Sequence, residues 1–221
     1  MTAETRLNST VLGVTVSIMF ATLTFILPHV HGVTTSPYLV PLVTWLVTLL
    51  ASVGTYKTVA GYFSTFAQKV SLAEKWLLGA AYVKGTWVGA YREQDGTVRY
   101  IVEHHEQTLS SLIVRGWAYT AEGHEHASWC SDAASINSEK GILIYEYGCD
   151  PLRGKGSHQG IGVFNFIGES PRAAPTHIRG YSADLTDGIR TPSREKKVSS
   201  SFLNPDQALQ DAKNYASVAA I

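Results

Sequence analysis

Gly85-Thr86-Trp87-Val88-Gly89-Ala90-Tyr91, then Asp95-Gly96, then Thr97 to His105: this stretch decides the fold of the larger part of the chain. It alternates with a period of two, the repeat of a strand whose faces meet different surroundings. Trp87, Gly89 and Tyr91 share one face. Asp95-Gly96 is a hairpin signal, because glycine takes the positive φ that a tight turn requires. Beyond it, Val98, Tyr100, Val102 and His104 fall on one side, and Arg99, Ile101, Glu103 and His105 on the other.

The same pattern recurs downstream. Leu109 to Thr120 places Ile113, Arg115, Trp117 and Tyr119 on one face. His126–Asn137 is a weaker strand; Gly141–Tyr147, Ile161–Ile167 and His177–Leu185 are clear ones, and a last is expected around Lys196–Phe202. About eight short strands separated by turns predict an all-β domain over residues 85–203, an antiparallel barrel or sandwich. A barrel of about eight strands has room for side chains or one small ligand. Gly89, Gly116, Gly162 and Gly180 lie inside strands, where bends or bulges are expected. Asn204-Pro205 pairs an N-cap with proline at the first helical position, so residues 204–221 form a short helix or tail.

The N-terminal part differs in kind. The fifty residues from Leu7 to Tyr56 contain no Lys, Arg, Asp or Glu, in a chain that is 16% charged. Two apolar blocks, Val11–Leu27 and Leu39–Tyr56, flank a polar turn holding Pro28, His29, His31, Gly32 and Pro37. Each approaches the roughly 17–25 residues that span a bilayer. A transmembrane hairpin over residues 1–56 is expected. A cleaved leader and a pair of buried core helices are the alternatives. Arg6 on one side, and Lys57, Lys69, Lys75 and Lys84 on the other, place both termini in the cytoplasm. Residues 57–84 form a connector with an apolar stripe (Tyr62, Phe63, Phe66, Val70, Ala73, Leu77, Leu78) and a break near Val70–Ser71, where Ser71 to Glu74 fits a capping box. It suits either a membrane surface or a packing site on the barrel.

The chemistry-bearing residues exclude several classes. Cys130 and Cys149 form no CxxC pair and are expected as reduced thiols. His104 and His105 point to opposite faces, and His124 and His126 sit near a turn, so no metal site is expected from them with Glu103 and Glu106. Gly154-Lys155-Gly156-Ser157 lacks the rest of a phosphate loop. No nucleophile–base pair stands out, so the chain is expected not to be an enzyme and to need no cofactor. A net charge of +0 and a pI near 7.1 disfavour a general nucleic-acid binder. Trp117, Trp129, Tyr91, Tyr145 and Tyr181 offer stacking surfaces, and Arg99, Arg115 and Arg179 offer planar forks for phosphate.

The order of parts carries a resemblance. Two apolar spans and a connector precede a barrel opening with Gly85-Thr86-Trp87-Val88-Gly89-Ala90-Tyr91. Ile178-Arg179-Gly180-Tyr181-Ser182-Ala183-Asp184 and Gly188-Ile189-Arg190 come near its end. This resembles the two-transmembrane, β-strand-rich effectors of CBASS, the bacterial cyclic-oligonucleotide anti-phage defence. The opening motif is also similar to that of lipocalin-type barrels. The resemblance implies a protein of the bacterial inner membrane whose cytosolic lipocalin-like barrel binds a cyclic dinucleotide made by a partner nucleotidyltransferase. Binding would drive homo-oligomerisation, and the apolar hairpins would then disrupt the membrane and arrest or kill the cell. Alternation and chemistry give the candidate ligand residues Tyr91, Arg115, Trp117, Tyr145, Arg179 and Tyr181. The alternatives are a membrane-tethered barrel carrying a hydrophobic small molecule and an enzyme of small-barrel type. The cavity lining discriminates: inward Arg or Lys beside aromatics favours nucleotide, an apolar interior favours lipid, and a polar cluster with shifted pKa values favours catalysis.

Overall fold

The computed structural model describes residues 3–30, 45, 48, 52–63, 65, 70–151, 156–168, 170 and 173–219. The chain divides into two compact units, residues 1–77 and 78–221.

In the first unit, helix α1 runs from Ala3 to Val30 and is apolar all round. Its stretch Leu7–Phe25 is long and apolar enough to cross a bilayer. Leu12, Val16, Phe20 and Phe25 stand exposed along it. The hydroxyls of Thr15, Ser17, Thr22 and Thr24 donate to the carbonyls four residues back, at 2.8–2.9 Å. That bonding hides their polarity within the helix. Residues 52–63 are also helical, but most of the expected second span, Leu39–Tyr56, lies outside the described residues. Helix α2 (Ser71–Leu78) starts after a break at Val70, where the connector was expected to break.

In the second unit, eight strands form a closed antiparallel barrel in sequence order: β1 (Gly85–Arg92), β2 (Val98–Gln107), β3 (Leu112–Tyr119), β4 (Glu125–Asn137), β5 (Ile142–Pro151), β6 (His158–Ile167), β7 (His177–Asp184) and β8 (Arg190–Ser199). Closure removes every unpaired edge. The β1–β2 turn uses Gly96 at φ 87°, with the Asp95 side chain accepting from the Thr97 N–H at 2.8 Å.

Three expectations need correction. The last strand starts at Arg190, not near Lys196, because Asp184, Asp187 and Gly188 (φ 70°) close the preceding turn through side-chain bonds to the N–H groups of Thr186 and Ile189. Pro192 fits there because it lies beyond the last β1 partner, so that side of β8 makes no demand on its missing N–H. The weak β4 segment is the longest strand, at 13 residues. The register shifts lie at Thr86/Trp87, Ala118/Tyr119 and Ser131/Ala133, not at the strand glycines.

One end of the barrel is plugged. Trp87 is 0% exposed, and its indole N–H donates to the Val83 carbonyl at 2.7 Å. A 3-10 turn, Gly79–Ala81, crosses below. Gln107 stitches it down, accepting from the Val83 N–H at 2.8 Å and donating to the Ala81 carbonyl at 2.8 Å. The Lys197 ammonium sits 4.2 Å from the Tyr82 ring centre. Helix α3 (Pro205–Ala219) covers the outside of β1 and β2, where Ala208, Leu209 and Ala212 pack on Val88, Val102 and Tyr119. Both faces of β1 are therefore buried over Gly85 to Ala90. Asn204 caps α3 by accepting from the Gln207 N–H at 2.8 Å.

Candidate functional site: an acidic, aromatic cavity

The open half of the barrel encloses a cavity of about 410 Å3. Its walls are aromatic, from Tyr91, Trp129, Tyr145, Tyr147 and Phe164. Glycine makes room for them. Gly116 is the cross-strand partner of Trp129, Gly162 of Tyr145 and Gly160 of Tyr147. A Cβ on these glycines would lie 2.1, 2.6 and 2.3 Å from the respective rings. The bulky side chain of one strand thus lies flat over its neighbour, the close-approach role of a strand glycine.

A polar cluster sits at the base of this cavity. Glu103 is 1% exposed. Trp129 Nε1–H donates to its Oε1 at 3.0 Å, reaching across Gly116, and the Tyr145 hydroxyl donates to the same oxygen at 2.8 Å. His105 Nε2 lies 2.8 Å from its Oε2. Glu195, also 1% exposed, approaches from β8 over Gly89, where a Cβ would stand 2.6 Å from Glu195 Cγ. Its Oε1 receives a long 3.4 Å bond from the Ser193 hydroxyl.

The two carboxyls are driven apart in proton affinity. Burial and the Glu103 charge raise the Glu195 pKa well above the usual carboxyl value, which favours its protonated form. Burial alone would raise Glu103 too, but the bonds from His105, Tyr145 and Trp129 outweigh it and keep Glu103 ionised. Burial also raises Tyr145 well above its normal value and pushes Tyr147 up to about 12. Ligand atoms of Glu103, His105 and Glu195 lie within 4.8 Å of one another. Trp129, Tyr145 and His105 all bond Glu103, whereas Glu195 Oε2 and His105 Nδ1 are buried with no hydrogen-bond partner among the described residues, so this trio is a place where a cation or a ligand donor could be held.

Four carboxylates (Glu93, Glu103, Asp184, Asp187), the raised-pKa carboxyl of Glu195 and two imidazoles (His126, His158) line the cavity, and among the described residues no Lys or Arg does. His126 meets Glu93 at 3.1 Å and His158 meets Asp184 at 3.5 Å. Arg99 pairs with Glu93 at 3.0 Å. Cys149 lines the wall as a free thiol, with its pKa pushed up to about 11 by burial, and Cys130 is also free.

Of the six residues expected to hold ligand, Tyr91 and Tyr145 line the cavity. The other four do not. Arg115 points outward, half exposed, and pairs with Glu106 at 2.7 Å. Trp117 faces the outer cluster under α3 and meets the His104 ring edge-on at 5.2 Å. Arg179 belongs to an outer groove, and Tyr181 lies beneath the Arg190 guanidinium at 4.7 Å. Alternation says which residues share a face but not which face is inside. Glu103, His105, Glu195 and Tyr147 were missed. A signal existed: Trp87 is a strong core residue, and Glu103 is its cross-strand partner, so the Glu103 face of β2 had to be the inner one.

No protein-family model matches this chain, no curated protein matches it, and no solved structure matches it.

Proposed function

We propose that this protein is a membrane-attached receptor for a small ligand. On the resemblance of its parts, it is further proposed as an effector of bacterial cyclic-oligonucleotide defence. The observation that carries the receptor reading is a lined cavity of about 410 Å3 in the same chain as a bilayer-length apolar helix. Two fully buried carboxyls are costly to fold around, and a barrel serving only as a spacer has no use for them.

In the effector reading, a partner enzyme makes a cyclic dinucleotide, binding favours a self-associating state, and gathered apolar helices breach the bilayer. A second apolar span, cytoplasmic termini and a bacterial inner-membrane location belong to this proposal. The cavity sets a condition on it. A dianion gains nothing from a described lining with four carboxylates, one further carboxyl and no Lys or Arg. Base edges carrying N–H groups suit this interior, and phosphates do not.

A second reading follows from the same lining: a membrane-tethered barrel whose ligand has an aromatic body and N–H or cationic groups. The carboxylates disfavour a purely hydrophobic ligand. The buried Glu103–Glu195 cluster, with pKa values shifted in opposite directions, is what the small-barrel enzyme alternative requires and supports it as a third reading.

The test is a calorimetric titration of the full chain in nanodiscs against cyclic di- and trinucleotides, linear dinucleotides and aromatic amines. Saturable binding of one cyclic species, with leakage of vesicles carrying the protein, supports the effector. Binding of amines alone supports the second reading. Silence from a folded sample sinks the receptor reading, and release of the chain by alkaline carbonate sinks membrane attachment.

A further inference from the structure

We infer that the groove formed by Arg92, Arg179 and Arg194 on the outer wall of β1, β8 and β7 binds a small ligand carrying two phosphate or phosphodiester groups. This rests on the nucleotide reading above and assigns its anionic part a place outside the cavity. The groove has a volume of about 450 Å3, and among the described residues its lining contains three arginines and no carboxylate. The chain as a whole has equal numbers of acids and bases, 18 of each, so such a lining is a local concentration of one sign.

The register explains the concentration. Arg179 and Arg194 are direct cross-strand partners, and Ala90 faces Arg194 from the other side. Like charges directly opposite each other weaken a sheet, so stability does not account for this pair. Arg92 lies two residues beyond Ala90 on the same face of β1. All three arginines are exposed. Arg92 donates one bond to the Gly96 carbonyl at 2.9 Å, and none of the three makes an ion pair among the described residues. Lys196 extends the basic stripe; His177, its cross-strand partner, is held toward its neutral form by burial and by the Lys196 charge.

Neighbouring strands lie about 4.8 Å apart, so β7, β8 and β1 spread three guanidinium stems over about 10 Å, which leaves room for more than one phosphate. Two phosphates on a compact frame engage all three, each through the planar two-donor fork that arginine presents. Between the arginines, Ala90, Gly180 and Pro192 keep the groove floor low enough for a ligand to lie against it. A free ligand fits this short concave site better than lipid headgroups do, since a bilayer presents a plane. The competing role is local: Ala219 ends α3 at the groove edge, and arginines are drawn to the carbonyls of a helix C-terminus.

The experiment uses the full chain in zwitterionic nanodiscs. Binding of a cyclic-dinucleotide panel and of inorganic pyrophosphate is measured for the wild type, R179A/R194A, R179K/R194K and the control K140A. Flotation with anionic vesicles is run beside it. Expected is a loss of at least about 100-fold in affinity for R179A/R194A, a partial loss for R179K/R194K, a steep salt dependence in the wild type, and no change for K140A. Thermal melting checks that each variant is folded. If the wild type binds a cyclic dinucleotide and R179A/R194A binds it equally, the groove assignment is wrong while the nucleotide reading stands. If pyrophosphate binds through the groove but no cyclic dinucleotide does, the groove stands and the nucleotide reading falls. Binding of neither by the wild type, or a response to anionic vesicles alone, overturns the assignment and leaves the arginines as caps of α3 or as a lipid contact.

Discussion

Replacing Glu195 by Gln removes one ionisable proton from the base of the cavity and leaves its shape unchanged. In the folded wild type Glu195 favours its protonated form, because burial and the neighbouring Glu103 charge raise its pKa well above the usual carboxyl value. In the unfolded chain the same group ionises near pH 4.3 (about the free-carboxyl value). Between those two pKa values the folded state holds one proton more than the unfolded state. Stability therefore falls as pH rises, by about 1.4 kcal/mol per pH unit. Gln is neutral, of the same size, and offers Glu103 an N–H in place of the O–H. The variant lacks the penalty, so its advantage over wild type grows with pH for as long as the pH stays below the folded Glu195 pKa. For a chain of this size each kcal/mol is a relative Tm gain of about 2–4 °C. Glu103 has the opposite sign. Its lowered pKa contributes stability that is present above the unfolded value and lost only in stronger acid. That contribution is constant between pH 5 and 7 in both proteins and cancels, as do the histidines they share. The assay is thermal unfolding of full-length protein in detergent, followed by near-ultraviolet circular dichroism at pH 5, 6 and 7. A variant-minus-wild-type difference that stays flat across this range would mean that Glu195 is ionised in the folded barrel, and the acid-pair reasoning would fail.

Other consequences are open to the same melting assay. Trp87→Ala removes a fully buried side chain that closes the barrel and should cost about 3–5 kcal/mol; a variant as stable as wild type would show that the plug is dispensable. Tyr145→Phe takes one donor from a buried carboxylate and should cost about 1.5–3 kcal/mol. It should also raise the Glu103 pKa, so acid unfolding begins at a higher pH; an unchanged acid limb contradicts the Glu103 assignment. Gly116→Ala places a methyl 2.1 Å from the Trp129 ring and should push that ring off Glu103. A fall in stability of about 1–3 kcal/mol is expected, with a shift in tryptophan emission, and unaltered emission would count against the packing described.

Much of the barrel was legible along the chain because strands announce themselves locally. The period-two runs, Asp95-Gly96 and the Asn204-Pro205 cap all act within a few residues, and the observed strands, turn and helix follow them. Misreadings arose where distant neighbours decide. Gly89, Gly116 and Gly162 resemble bend residues, yet each clears space for a side chain on the next strand. Arg115 and Trp117 do share a face as expected, but it is the outer one. The acid pair is the extreme case. Glu103 and Glu195 are 92 positions apart in a chain of 221 residues, and they meet only because closure sets β8 beside β1 and Gly89 has no side chain between them. Alternation and turn chemistry are encoded by near neighbours and so can be read in one dimension. Which face turns inward, and which charges then share a low-dielectric interior, is settled when the sheet closes, because only closure chooses the residues that lose their water.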